Sequence, residues 1–143
     1  MAYFSKEHKA KVAPLIKAVL KKYGVKGSIK IGNHISLIVS IKSGTLDFMG
    51  ADRKFQEHQV KRERLEQVYD KSGGRLHVNQ YHEANWLREI KENKIAAFYD
   101  ELYAAMRSAD WFDNSDSQAD YFHTAYYMDV FIGRWDKPYV LEA

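Results

Sequence analysis

Apolar residues recur at helical spacing near the start of the chain. Val12, Leu15, Ile16, Val19, Leu20 and Tyr23 fall along one side of a 3.6-residue repeat. Ser5 stands where a helix cap belongs, just ahead of Lys6-Glu7-His8. Pro14 lies inside this pattern and predicts either a kink or a better-formed second half. Gly24 and Gly27 follow the last turn as stop signals. The spacing therefore predicts a first helix that ends near Tyr23.

The repeat then changes from helical to alternating. Residues 28–31 and 35–42 alternate apolar and polar side chains with many β-branched members, and Gly32-Asn33-His34 separates them. This predicts a tight β-hairpin, with Ile29 and Ile31 facing the same way as Leu37, Val39 and Ile41. Residues 45–74 give no clear period. Their stretch 52–70 is dense in charge, with Phe55, Val60, Leu65 and Val68 as sparse apolar positions, so a helix, a long loop and a pair of exposed strands all fit. Ser72-Gly73-Gly74 is a break. Residues 75–82 alternate Leu76, Val78 and Gln80 against His77, Asn79 and Tyr81, as a third strand would. A helical segment opens near Glu83 or Asn93 and closes at Arg107. Its stripe is Ile95, Phe98, Leu102, Ala105 and Met106, with Tyr99 and Tyr103 flanking. Residues 125–134 read as a last strand, with Tyr126, Met128, Val130 and Ile132 on one face and Tyr127, Asp129 and Phe131 on the other. These elements predict a single α+β domain over residues 1–143. It has a mostly antiparallel sheet of about four strands, packed on one face against two main helices.

Bulk properties narrow the classes. A chain of 143 residues can bury a full core. It holds no cysteine, which excludes disulfides and thiolate metal sites. No stretch approaches the roughly 18 apolar residues that cross a membrane, and the first residues lack a signal-peptide pattern. The expectation is a cytoplasmic protein with no membrane association, as a monomer or homodimer.

Charge is uneven along the chain. The net value is +3, yet residues 1–94 hold 19 Lys and Arg against 10 Asp and Glu, a balance of +9, while residues 95–143 hold 3 against 9, a balance of −6. Eight lysines stand against Glu7 in the first 30 residues. If the two ends separate in space, the molecule has a basic face and an acidic face.

Four aspartates alternate with six aromatic rings over the eighteen residues from Asp110 to Tyr127. Rigid rings with carboxylates suit a recognition surface. Asp110, Asp113, Asp116, Asp120 and His123 could hold a hard cation, but they lack the glycine and glutamate of a calcium loop. Capping of a short turn by Ser115-Asp116 fits them better, and no metal or cofactor is expected. His77 and His82 are candidate acid–base groups, although residues five apart on a strand point to opposite faces. No nucleophile elbow, P-loop or HExxH motif is present, so an enzyme is not expected. Trp111, Phe112 and Phe122 are expected in the core. Asp113, Asp116, Asp120, Tyr121 and Tyr127 are the candidate protein-binding set, and carboxylates there could take the place of phosphates on a basic partner. Lys17, Lys21, Lys22, Lys26 and Lys30 form the alternative set, for nucleic acid.

The segment 110–127, with Ile132-Gly133-Arg134-Trp135-Asp136-Lys137-Pro138-Tyr139 after it and Val19-Leu20-Lys21-Lys22-Tyr23-Gly24-Val25-Lys26-Gly27 before it, resembles a small uncharacterised domain. That domain occurs in bacteriophages and plasmids, free or within large polyvalent proteins. Residues 37–43 with Leu46-Asp47-Phe48 also look like a hairpin of small phage inhibitors of CRISPR effectors. The resemblance implies an accessory protein of a mobile element, of anti-CRISPR type. It would block a host defence protein or nucleoprotein complex by stoichiometric binding. No reaction, and so no catalytic residue, is implied.

Overall fold

A computed structural model describes residues 2–63, 76–79, 85–112, 124–134 and 136–142. Helix α1 spans Lys6–Lys22 and opens with the cap expected at Ser5. The His8 amide donates to Ser5 Oγ at 3.2 Å, and the Ser5 amide donates to His8 Nδ1 at 3.0 Å. This is a capping box in which a histidine does the work usually given to Glu or Gln. The helix runs on through Pro14, which is exposed. Val12, Ile16 and Leu20 are buried, while Leu15, at the margin of the stripe, is 49% exposed.

Strands β1 (Val25–Gly32) and β2 (Ser36–Gly44) form the expected hairpin, each longer than its alternating core. Ile29 pairs with Val39 and Ile31 with Leu37, so the apolar face is the one anticipated. Asn33 and His34 both have positive φ, 50° and 62°, and Ile35 N–H donates to Gly32 O at 3.0 Å. Those are the marks of a type I′ turn, whose twist matches that of a hairpin.

Of the alternatives for the unclear stretch, the described part takes the helix, α2 (Phe48–Glu63). Asp47 Oδ1 accepts from the Gly50 amide at 2.9 Å and holds its first turn. Strand β3 covers Leu76–Asn79, and the rest of the strand anticipated over 75–82 lies outside the described residues. Of the two starts anticipated for the next helix, Asn93 is the one observed: α4 spans Asn93–Met106, and a separate short helix, α3 (Asn85–Glu89), precedes it. Lys91 breaks them apart in the left-handed region, φ 64°. Tyr99 and Tyr103 are core members rather than flanking residues, at 2% and 3% exposure, because α4 packs against both α1 and α3. Strands β4 (Tyr127–Ile132) and β5 (Val140–Leu141) follow.

Among the described residues the fold is α+β, with four helices and a five-stranded sheet of order β1-β2-β4-β3. β5 lies beside the end of β2. The sheet is more mixed than expected. β1 with β2 and β3 with β4 are antiparallel, but β4 and β5 both run parallel to β2. Parallel neighbours need a long crossover, and residues 45–126 supply one. Leu37, Val39 and Ile41 of β2 meet Met128, Val130 and Ile132 of β4 in one core with the buried faces of α1 and α4. Tyrosine hydroxyls tie that core together. Tyr103 donates to Val78 O at 3.0 Å, Tyr139 to Leu46 O at 2.7 Å, and Tyr126 to Met106 O.

Candidate nucleic-acid interface

Alternation sends every second side chain of the sheet to the face away from the core. On β1 these include Ser28 and Lys30, on β2 Ser36, Ile38, Ser40 and Lys42, and on β4 Tyr127, Asp129 and Phe131. β1 is an edge strand, and grooves run along it on both sides. One, of about 640 Å³, lies between the end of α1 and the start of β1, and is lined by Lys17, Lys21, Lys26, Lys42 and Glu142. A second, of about 350 Å³, opens on the outer sheet face between Ser28, Lys30, Ser40, Lys42, Arg134 and Lys137. A third, of about 410 Å³, adds Lys6 and Lys9 and ends on Lys30.

The grooves connect. Lys42 and Gly27 belong to the first and second, and Lys30 to the second and third. The first brings four cations, the second three more and the third two more, so nine line the belt. Glu142 is the one carboxylate among the described lining residues. A hydrogen bond from Lys26 at 3.2 Å, then one from Ser43, holds its carboxyl below the usual range. Arg134 Nε stands 3.6 Å from Asp136. Lys17, Lys21 and Lys30 form no ion pair among the described residues.

The opposite flank of α1 is neutralised. Lys22 Nζ donates to Glu101 Oε1 at 2.5 Å, and Lys11 lies 3.9 Å from Asp110. Tyr23 also donates its hydroxyl to Glu101. The bond from Lys22, then the one from Tyr23, holds the Glu101 carboxyl below its ordinary range, while the Glu101 contact, with burial, pushes the Tyr23 phenol up to about 12.

The structure brings Lys17, Lys21, Lys26 and Lys30 to one belt. Lys22 is the exception, turned toward α4 by Glu101. Of the acidic–aromatic set, Asp113, Asp116, Asp120 and Tyr121 lie outside the described residues, as do His82, Phe122 and His123. Tyr127 stands on the outer sheet face, 37% exposed. Phe112, expected in the core, is 40% exposed, while Trp111 is half-buried with its indole N–H on Tyr126 O at 2.8 Å. Sequence reasoning missed Lys42, Arg134 and Lys137. Alternation places Lys42 on the face of Lys30, but only the parallel pairing of β2 with β4 carries the 134–137 turn alongside.

His77 sits on β3 directly across from Phe131. Their rings stack, with centroids 4.4 Å apart and planes 6° from parallel, and His77 Nε2 lies 2.7 Å from Asp129 Oδ1. Among the described residues no helix is long and apolar enough to cross a membrane.

Comparison with protein-family models, with curated proteins and with solved structures gives no match. The mobile-element and anti-CRISPR likenesses rest on the quoted residues alone.

Proposed function

We propose that this protein binds nucleic acid through the phosphate backbone, with the grooves around β1 as the contact surface. The observation that carries this reading is the convergence of nine cations from α1, β1, β2 and the 134–137 turn, with Glu142 the one carboxylate among the described residues that line the grooves. A concave surface of one sign focuses its field and concentrates a polyanion. Neutralising phosphates also releases their condensed counterions, which supplies most non-specific affinity.

Fluorescence anisotropy with a labelled oligonucleotide tests this. Lys21→Glu with Lys30→Glu is expected to remove binding, and Lys11→Glu, on the paired flank, to weaken it far less. Wild-type affinity should fall steeply between about 50 and 200 mM salt. Equal affinity in the groove double variant and the wild type would refute the reading.

The blockade of a host defence complex remains a proposal on sequence likeness. Of its contact set only Tyr127 stands on the described surface. Pull-down from nuclease-treated host lysate separates the two: a stoichiometric protein complex supports blockade, and loss of all partners with the nucleic acid supports the basic belt.

A further inference from the structure

The cations of the second groove share the outer sheet face with aromatic rings. Strand register sets out this face as rows. One row reads Ser28, Ser40, Phe131, His77, from β1 through β2 and β4 to β3. The next reads Lys30, Ile38, Asp129, and a third holds Ser36 and Tyr127. Neighbouring strands are about 4.8 Å apart, so Phe131 stands about two strand spacings from the Ser28 and Lys30 end of the groove.

His77 covers one face of the Phe131 ring from the β3 side. On the β2 side the residue paired with Phe131, itself half-buried, is Ser40, a small side chain. Ile38 leans the other way, with its Cδ1 over Gly32. Beyond Ser40 begins a groove of about 350 Å³ lined by Lys30, Lys42, Arg134 and Lys137, space for about a dozen waters. A flat ring and a cluster of cations thus stand side by side on one open face. Asp129, the carboxylate of that face, is engaged by His77.

We infer that the nucleic acid is single-stranded, with phosphates in the Lys30–Lys42–Arg134–Lys137 groove and unstacked bases against Phe131, His77 and Tyr127. This rests on the backbone reading above and adds the class of ligand. A duplex turns its bases inward and offers a surface only its phosphates and groove edges, so the rings would contribute nothing to it. A single strand presents base faces to the rings while its backbone follows the cations, whatever its sequence.

The experiment compares a fluorescein-labelled strand of about 16 nucleotides, as DNA and as RNA, with the corresponding duplexes at equal salt. The expected result is single-strand affinity about tenfold or more above duplex affinity. Phe131→Leu and Tyr127→Ala should each narrow that preference, with thermal melts confirming the fold. Tyr127 is exposed, so its variant keeps the test alive if Phe131→Leu fails to fold. Equal affinity for strand and duplex, or a preference unmoved in the folded variants, overturns the stacking surface and leaves the backbone reading standing. No binding to either form removes both. A difference between the DNA and RNA strands identifies which of them the face prefers.

Discussion

Gly27 is the residue at which the hairpin is most sensitive to one added carbon. A Cβ built on it would lie 2.5 Å from Ser40 O, 3.2 Å from Ile41 Cα and 3.3 Å from Ser40 C. All three belong to the β2 backbone, which cannot swing aside as a side chain can. Real Cβ contacts essentially never fall under 3.0 Å, so β1 and β2 must part by at least about half an ångström at the register shift between Lys26 and Gly27. A ladder hydrogen bond near 2.9 Å then stretches beyond the normal range. Losing one or two such bonds, at about 0.5–1.5 kcal/mol each, with the strain of overpacking, makes Gly27→Ala about 2–3 kcal/mol less stable. With an unfolding entropy of about 2.1 cal/mol/K per residue over the 143 residues, Tm should fall by about 7–10 °C. Gly50→Ala is the control. Its added Cβ would sit even closer to an atom, 2.2 Å from Asp47 Oδ2, but that atom is the free end of a side chain. Moving Asp47 weakens a cap worth about 1 kcal/mol, and Ala returns up to about 1 kcal/mol of helix propensity, so the net change is near zero. Urea and thermal unfolding followed by circular dichroism measure both variants. A Gly27→Ala protein within about 0.5 kcal/mol of wild type would mean that the two strands do not meet at this register.

Tyr103→Phe removes the bond from α4 to Val78 O and should cost about 1–2 kcal/mol, with faster amide exchange in β3 as its local signature. Burial pushes Tyr126 and Tyr139 up to about 12, and Tyr99 and Tyr103 are raised as well, again chiefly by burial. In the unfolded chain each ionises near 10, so below that pH both states keep the proton and stability is unaffected; above it only the unfolded state releases protons, and stability falls by about 1.4 kcal/mol per pH unit for each tyrosine. Unfolding between about pH 10 and 12 should therefore release the tyrosinate absorbance of these four rings together, and absorbance from all ten tyrosines reached with the fold intact would contradict their burial. Lys42→Gln and Arg134→Gln should each reduce the slope of log affinity against log salt by about 0.7 for a single strand, and an unchanged slope would take those side chains off the contact surface.

The parts of this fold that sequence makes plain are those governed by local rules. Ser5 precedes an apolar helical stripe, and it caps. Asn33-His34 sits between two alternating runs, and both residues take the left-handed region a tight hairpin requires. Two features were beyond reach for physical reasons. Alternation in β2 and β4 is the same whichever way a neighbour runs, so the parallel pairing of Val39 with Val130 leaves no mark on the sequence. Lys91 breaks the α3–α4 segment without a glycine or proline to announce it. The site divided in the same way. Lys17, Lys21, Lys26 and Lys30 show as a local excess of charge, whereas Arg134 and Lys137 join them only through the sheet order.

Lysines on an edge strand have a structural use of their own, since they discourage pairing with another chain. Lys26 and Lys30 on β1 would serve that purpose without any ligand. The remaining seven cations of the belt do not lie on the exposed edge, because they come from α1, β2 and the 134–137 turn. Holding like charges together in grooves also works against the fold through mutual repulsion. Among the described residues Glu142 and Asp136 relieve part of it, at Lys26 and Arg134, and other carboxylates are placed elsewhere. Glu101 takes Lys22, Asp110 stands by Lys11, and Asp100 pairs with Arg88, all away from β1. Glu101 and Asp110 neutralise one flank of α1 while Lys17 and Lys21 on the other form no ion pair among the described residues, the arrangement expected of a surface kept for a polyanion.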